Sequence, residues 1–335
     1  MNTDMNRTLT DRFDRRIAYL RLSVTSRCNF RCCFCKPDGE LDALDQDVSL
    51  KLEELIRIAR IFTLEGVRKI RLTGGEPLLR RDLPLLIKAL SRLEGLKDLG
   101  LTTNGYFLAE QIDALAQAGL QRINVSLVSL DAAKFKRITG GGDLGQVMDG
   151  LKIALETLSG PVKINVAVRR HLNEEEIADF ARLTMHSKYS VRFIEQMPIG
   201  AHTPWKREDA LPVAAIRRQL QETFGLEPAL DGDPYAGPAV RYRIPGACGE
   251  LGFIGAITED FCARCNRIRL TYDGKLRPCL LSNQETDLLH PLRNGASDDD
   301  LRALIRQVMQ SKPERHNVNE ADFVRSIRSM YQIGG

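Results

Sequence analysis

The chain has 335 residues, of which 43% are hydrophobic and 27% charged, a composition that provides a sizeable core and argues against intrinsic disorder or a fibrous architecture. Its 48 Lys and Arg against 44 Asp and Glu leave a net charge of +4, too little to recruit nucleic acid or a membrane surface through bulk charge, so any anion site has to be local. No run of about 18 apolar residues offers a membrane span, and the first residues lack the apolar stretch of a secretory signal. A cytoplasmic protein is expected, with neither nucleic acid nor membrane among its partners.

In chain order, strands are predicted at 19–24, 69–73, 98–103, 122–127, 162–168 and 191–195, where short β-branched or apolar runs alternate with longer helical patterns. Helices are expected between them at 50–64, 84–93, 108–118, 144–158 and 174–186, the first entered through Ser49 and left through Gly66. Six strands alternating with helices imply an α/β fold with a parallel sheet and right-handed crossovers, two units short of eight, as an open barrel or a doubly wound sheet. Function then belongs at the C-terminal ends of the strands. The segments of unusual composition lie there: Cys28 to Cys35 after the first strand, Gly74-Gly75-Glu76-Pro77 after the second, Thr102 to Gly105 after the third and Met197 to Gly200 after the sixth.

The texture changes near residue 200, which suggests units at 1–200 and 201–335. The second is expected to be mixed, with a helix at 213–224, a Gly/Pro/Asp-rich stretch at 225–238, and strands at 241–244, 251–257, 267–271 and 275–277 around an Asp273-Gly274 turn. The last thirty or so residues are polar and end in Gly334-Gly335, a pattern that on its own reads as a disordered tail.

The eight cysteines bunch rather than spread, which in a reducing compartment points to metal. Cys28-x3-Cys32-x2-Cys35 supplies three soft thiolates, enough to hold a four-iron cluster with one iron free for a ligand. Zinc completed by Cys33 is the competing reading, disfavoured because adjacent Cys32 and Cys33 chelate awkwardly. Cys262-x2-Cys265-x13-Cys279 repeats the pattern, and a second iron-sulfur cluster with an open iron is preferred over zinc completed by Cys248 or His290. Basic residues give an independent signal. Lys69 with Arg71, and Arg267 with Arg269, share strand faces at i and i+2, and with Arg21 and Lys163 they demand an anionic partner such as a triphosphate if they face inward. The alternative is that they face solvent or pair with acids.

The segment LRLSVTSRCNFRCCFCKP resembles the signature of the radical S-adenosylmethionine superfamily, with Phe34 ahead of the third cysteine, and GGEP resembles the segment that accepts from the methionine amino group. FCARCNRIRLTYDGKLRPCL resembles the GTP 3′,8-cyclase family of molybdenum cofactor biosynthesis, and this resemblance runs from about Asp11 to the terminal glycines. It implies an incomplete (β/α)6 parallel barrel, closed by a C-terminal α+β extension that carries a second iron-sulfur cluster. It also implies two 4Fe-4S clusters, on Cys28, Cys32 and Cys35 and on Cys262, Cys265 and Cys279, the first cleaving S-adenosylmethionine to an adenosyl radical and the second binding guanine. S-adenosylmethionine would lie on Phe34, Gly75, Ser126 and Met197. GTP would lie on Arg21, Lys69, Arg71, Thr102, Lys163, Arg192, Arg267 and Arg269 and leave as 3′,8-cyclo-7,8-dihydro-GTP, with the terminal glycines reaching into the site. A reducing electron donor and, downstream, cyclic pyranopterin monophosphate synthase are the implied partners, and a homodimer is one assembly the resemblance leaves open.

The sequence departs from the family pattern at Ser26 and Val128, where aspartates are usual, and at His171, where glycine is customary. These departures keep open a radical enzyme with another substrate, such as a peptide, and a non-catalytic metal-binding or electron-transfer protein. Gly140-x-Gly142-x-x-Gly145 follows a helical stretch rather than a strand and reads as a loop. There is no Walker-type GxxxxGK[ST] loop, and the five histidines show no paired-ligand spacing.

Overall fold

Strict alternation along the strands separates apolar from charged side chains, and that separation builds the architecture. The structure, a computed structural model, describes residues 8–36, 48–201, 203–229 and 237–335. Strands β1 (Tyr19–Ser23), β2 (Lys69–Thr73), β3 (Asp98–Thr103), β4 (Arg122–Ser126), β5 (Val162–Val168) and β6 (Ser190–Glu195) fall where the pattern places them, within a residue or so at each end. Leu20, Leu22, Ile70, Leu72, Leu101, Ile123, Val125, Ile164 and Val191 are wholly buried on one face, under the helices. Burial of each such side chain stabilises the fold by about 1.5–3 kcal/mol. The other face carries Tyr19, Arg21, Lys69, Arg71, Asn124, Lys163 and Arg192.

The covering helices are α1 (Leu52–Leu64), α2 (Leu83–Leu90), α3 (Leu108–Gln117), α4 (Ala132–Thr139), α5 (Leu144–Thr157) and α6 (Ile177–Arg182). Helix α1 starts later than Ser49 suggests, because Glu54 accepts from the Lys51 N–H at 2.8 Å and fixes the first turn there. Helix α4 has no counterpart in the sequence reading; it is short, buries only Phe135, Ile138 and Thr139, and is capped by Asp131. Gly140 then ends it in the left-handed region and Asp143 caps α5, so the glycine-rich segment is a loop as far as Asp143, while Gly145 falls in the first turn of α5. The helix expected at 174–186 is shorter: a 3-10 turn at Glu174–Glu176 precedes α6, and residues 183–185 return to i→i+3 bonding.

The later elements are α7 (Val213–Phe224), β7 (Glu227–Pro228), β8 (Val240–Arg243), β9 (Glu250–Ile254), β10 (Arg267–Leu270), β11 (Lys275–Arg277), β12 (Thr286–Asp287), α8 (Leu289–Arg293), α9 (Asp298–Gln310) and α10 (Met330–Ile333). Part of the Gly/Pro/Asp-rich stretch lies outside the described residues. All strands join one sheet in the order β12-β11-β10-β1-β2-β3-β4-β5-β6-β9-β8-β7. The run from β10 to β9 is parallel, with antiparallel hairpins at both flanks. The chain beyond residue 200 therefore extends the sheet at both edges. The sheet also curls, since Arg192 on β6 lies in the field of Arg71 on β2 and Tyr19 on β1, strands that four or five spacings of about 4.8 Å would separate in a flat sheet. Among the described residues no helix is long and apolar enough to cross a membrane.

The C-terminal segment is packed where the polar pattern suggests disorder. Arg15 donates to the carbonyls of Cys262 at 2.8 Å and of Pro313 and Glu314 at 2.6 Å, and Lys312 Nζ donates to those of Arg267 at 2.9 Å and Pro278 at 2.5 Å. Val318 and Ile333 join Ile199, Ile257 and Leu281 in a small apolar cluster. These few anchors and buried cations replace the continuous apolar stripe that sequence reading looks for. Helix α10 then lays the last two residues on the charged face, where the Gly334 carbonyl accepts from Arg269 at 2.6 Å and Gly335 accepts from Arg21. Gly334 has φ +93°, and a Cβ there would stand 2.5 Å from Thr73 Oγ1 and 2.8 Å from Ser23 Cβ. Gly334→Ala is expected to expel the tail. Carboxypeptidase should then remove the terminal residues at least several-fold faster than from the parent protein, and equal rates would contradict this seating.

Candidate active site

The first cysteine loop leaves the C-terminal end of β1 and is fixed by the loop after β2. Gly75 N–H donates to Thr25 O and Glu76 N–H to Arg27 O, both at 2.7 Å. The two backbones lie so close that a Cβ on Gly75 would be 2.3 Å from Arg27 O. Glu76 faces inward to its own loop, accepting from Thr103 Oγ1 and Asn104 N–H at 2.7 Å and Leu78 N–H at 3.0 Å. Burial nonetheless pushes its carboxyl up to about 7.

Burial also raises the Cys28 thiol to about 11, against donors at Phe30 N–H (3.4 Å) and Asn104 Nδ2 (3.9 Å). Cys32 is held well above its usual value by burial and then by the proximity of Cys35, Cys28 and Cys33. Desolvated Cys28 and Cys32, with Cys35 in the field of Cys32, offer the donor chemistry of a soft metal centre, whose cation would favour their thiolates. Cys33 is exposed. Phe34 is half-buried in the same loop, Gly75 follows β2, Ser126 ends β4 and Met197 follows β6, so these four residues stand on the rim that holds Cys28, Cys32 and Cys35.

Strand register builds the charged face in layers. Arg269, Arg21, Arg71 and Gly100 are successive partners across β10, β1, β2 and β3; Thr102, Asn124, Lys163 and Ser190 are partners from β3 to β6; Asn165, Arg192 and Gly252 from β5 to β9. Glycines make room for arginine side chains: a Cβ on Gly100 would meet Arg71 Nη1 at 2.1 Å, and one on Gly252 would meet the Arg192 stem at Cγ, 3.2 Å away. Burial and the neighbouring Arg192, Arg71 and Lys69 push Lys163 down to about 6, and Arg192 falls to about 10 through burial and Arg71. Burial raises Tyr19, but Arg21, Arg71 and Lys69 more than reverse this and hold its phenol at about 7. Burial, Arg21 and Arg267 hold Arg269 well below its usual value.

Two acids sit in this face, Glu250 on β9, in register with Ser190, and Asp98 on β3. Asp98 pairs with Lys69 at 2.6 Å and Arg122 at 3.0 Å, so at Lys69 the alternative of pairing with an acid is the one realised. Burial would raise the Asp98 carboxyl, but Lys69 and Arg71 hold it below the usual range. Buried polar atoms without partners remain: Arg21 Nε, Arg71 Nε, Arg192 Nε, Thr102 Oγ1, Asn124 Oδ1 and Asn165 Oδ1. A face of this kind fits a polar, anionic ligand. Sequence reading missed Tyr19, Asp98, Arg122, Asn124 and Asn165, although the same i, i+2 rule applied to β1, β3, β4 and β5 finds them.

The second triad lies at the other end of the strands. Cys265 stands two residues before Arg267, which pairs with Tyr19 at the start of β1, and antiparallel β11 brings Cys279 back to that end. Burial raises the Cys262 thiol to about 11, helped by Asp260, Cys279 and Cys265. At Cys265 burial is outweighed by Arg267 and Lys312, and the thiol falls to about 7. Arg267 lies over the Phe261 ring at 4.6 Å. Cys248 is exposed in the turn between β8 and β9, and His290 bonds Asn294 on exposed α8; neither is among the main groups acting on Cys262 or Cys265. Among the described residues no three His, Cys, Asp or Glu side chains, those of either triad included, are drawn together closely enough to hold one metal ion.

The three departures have defined settings. Ser26 is buried beside the Tyr272 hydroxyl. Val128 lies in the apolar core, and its carbonyl accepts from Asn173 Nδ2 at 2.9 Å. His171 adopts φ +59°, so it occupies the left-handed conformation that the customary glycine adopts at lower cost.

Comparison with known proteins agrees with this geometry. The Radical SAM superfamily matches residues 22–184 and Molybdenum Cofactor Synthesis C matches residues 189–318. GTP 3′,8-cyclase of Pelotomaculum thermopropionicum is 43% identical over 98% of this chain and 100% of its own, and that of Alkaliphilus metalliredigens 44% over the same shares. Streptococcus suis SuiB bound to S-adenosylmethionine shares the fold at TM-score 0.62 and 16% identity, over 98% of this chain and 78% of that one. The chain belongs to the GTP 3′,8-cyclase family of radical S-adenosylmethionine proteins.

Proposed function

We propose that this protein converts GTP to 3′,8-cyclo-7,8-dihydro-GTP, the first step of molybdenum cofactor biosynthesis. The observation that carries the reading is the buried cationic face, with Nε of Arg21, Arg71 and Arg192 unpartnered, lying between two cysteine triads at opposite ends of the parallel strands. Such a face receives a triphosphate, and the two triads then reach the two ends of a nucleotide.

Cys28, Cys32 and Cys35 would hold the 4Fe-4S cluster of the superfamily, and Phe34, Gly75, Ser126 and Met197 would position S-adenosylmethionine beside it. When bound, this pair supplies a one-electron cleavage that yields a carbon-centred radical. Cys262, Cys265 and Cys279 would hold a second 4Fe-4S cluster, with Arg267 against that end. Arg21, Lys69, Arg71, Thr102, Lys163, Arg192, Arg267 and Arg269 would hold GTP, fixing the ribose relative to both ends and excluding water from the reacting carbon. Arg21 and Arg269 also hold the terminal glycines, which bring backbone oxygens into the same space.

We read the curled sheet as an incomplete (β/α)6 barrel of residues 1–200, closed by an extension of residues 201–335. A reducing electron donor, and a downstream synthase that takes the cyclised nucleotide, are the partners this reading requires; a homodimer is compatible with it. The reaction is tested by anaerobic incubation of cluster-loaded, reduced protein with S-adenosylmethionine, with and without GTP, followed by mass spectrometry. GTP-dependent appearance of both 5′-deoxyadenosine and a cyclised nucleotide is expected. Deoxyadenosine without a nucleotide product would overturn the substrate, and neither product would overturn the enzyme.

Binding carries its own signature. At pH 7.5 Lys163, at about 6, is mostly neutral and Tyr19, at about 7, is mostly ionised. A polyphosphate raises both values, so each group gains a proton on binding. Calorimetry of GTP binding in buffers of different ionisation enthalpy is expected to show net proton uptake at pH 7.5, reduced in Lys163→Met and largely gone at pH 5.5. Proton release, or no buffer dependence at pH 7.5, would contradict the placement of the phosphates.

A further inference from the structure

The charged face does not end at the sheet. At the N-terminal ends of β4, β5, β6 and β9 a cavity of about 450 Å³ opens between the strand ends and the β8–β9 hairpin. Its inner wall is Lys163 and Arg192, which already belong to the charged face, and its outer wall continues over Arg241, Arg243 and Lys188 with Cys248 at the margin. Exposure rises along this path: Lys163 is 7% exposed and Arg192 9%, Arg241 is half-buried, and Lys188, Arg243 and Cys248 are open to solvent. Glu250 is the acid among the lining residues and bonds Arg241 at 3.2 Å. Arg192 Nε has no hydrogen-bond partner among the described residues, and Lys163 stands among the like charges of Arg192, Arg71 and Lys69.

A graded series of basic side chains from solvent to the buried Lys163 and Arg192 does what a static binding site does not need to do. Lys188 and Arg243 lie too far out to be desolvated by a ligand seated between the triads, yet they raise the local concentration of an anion at the mouth. The opposite rim is taken by the cysteine loop, and the tail lies against Thr73 and Ser23 at that end. We propose that this cavity is the port through which the phosphate chain of the nucleotide reaches the charged face, with Lys188 and Arg243 steering it in from solvent. The proposal rests on the nucleotide reading above and adds its route.

The test is GTP association kinetics with the cluster-loaded protein, followed by anaerobic stopped-flow over a range of ionic strengths. Lys188→Glu combined with Arg243→Glu is compared with Lys88→Glu combined with Arg92→Glu, which makes the same change in net charge on the exposed surface around α2. The port variant is expected to associate roughly tenfold more slowly at low salt, with a flatter salt dependence and a nearly unchanged dissociation rate. If the wild-type protein binds GTP and the two variants associate alike, the port is overturned and the nucleotide reading stands. A wild-type protein that does not bind GTP overturns both. Iodoacetate gives a second measurement: it places a carboxylate on Cys248, forming a thioether as iodide leaves. Treated wild type is expected to associate several-fold more slowly than treated Cys248→Ser, and equal rates would overturn the port.

Discussion

The fold has to bury arginines and lysines together without a matching set of acids. Arg21, Arg71, Arg192, Arg269 and Lys163 occupy neighbouring register positions on one curled face, and burial with mutual repulsion lowers the basicity of Arg21, Arg192, Arg269 and Lys163. Taking such groups out of water costs several kcal/mol per ion even after relaxation. The opposite face, with its continuous Leu, Ile and Val layer beneath the helices, supplies the opposing stability. Asp98 and the carbonyls of the terminal glycines offset part of the charge. What remains uncompensated is the affinity available to an anionic ligand.

Parallel pairing turns that face into a site with two distinct ends. Because β10 joins β1 in the same direction, the loop after β1 and the approach to β10 lie at opposite ends of the same strands. The cysteine triads inherit this separation and differ in electrostatics as well as position. The first lies in apolar surroundings, where the thiols reinforce one another's neutrality. In the second, Arg267 and Lys312 favour the thiolate of Cys265. The C-terminal segment completes the arrangement by tying Cys262, Arg267 and Pro278 to Arg15 and Lys312, so the second triad and the tail are held by the same buried cations.

Much of this was legible in sequence for a simple reason: the period-two alternation of β1, β2 and β5 is clean, and cysteine spacing is a local property. Loops at the strand ends followed from the same pattern. What escaped was set by long-range pairing. Asp98 sits across from Lys69 only once β2 and β3 are in register, and Gly100 and Gly252 mark the arginines they accommodate only when their neighbouring strands are known. Helix α4 lacked an apolar stripe long enough to announce itself. The tail read as disordered because what holds it, chiefly carbonyls accepting from Arg15, Lys312, Arg21 and Arg269, leaves no trace in hydropathy.

The central claim is that the uncompensated cations exist for a phosphate chain. Equilibrium binding of GTP and of guanosine to the cluster-loaded protein, measured side by side at low and high salt, tests it most directly. GTP should bind at least a hundredfold more tightly at low salt, with the gap narrowing as salt rises while guanosine binding barely changes. Equal affinities for the two, insensitive to salt, would contradict the account.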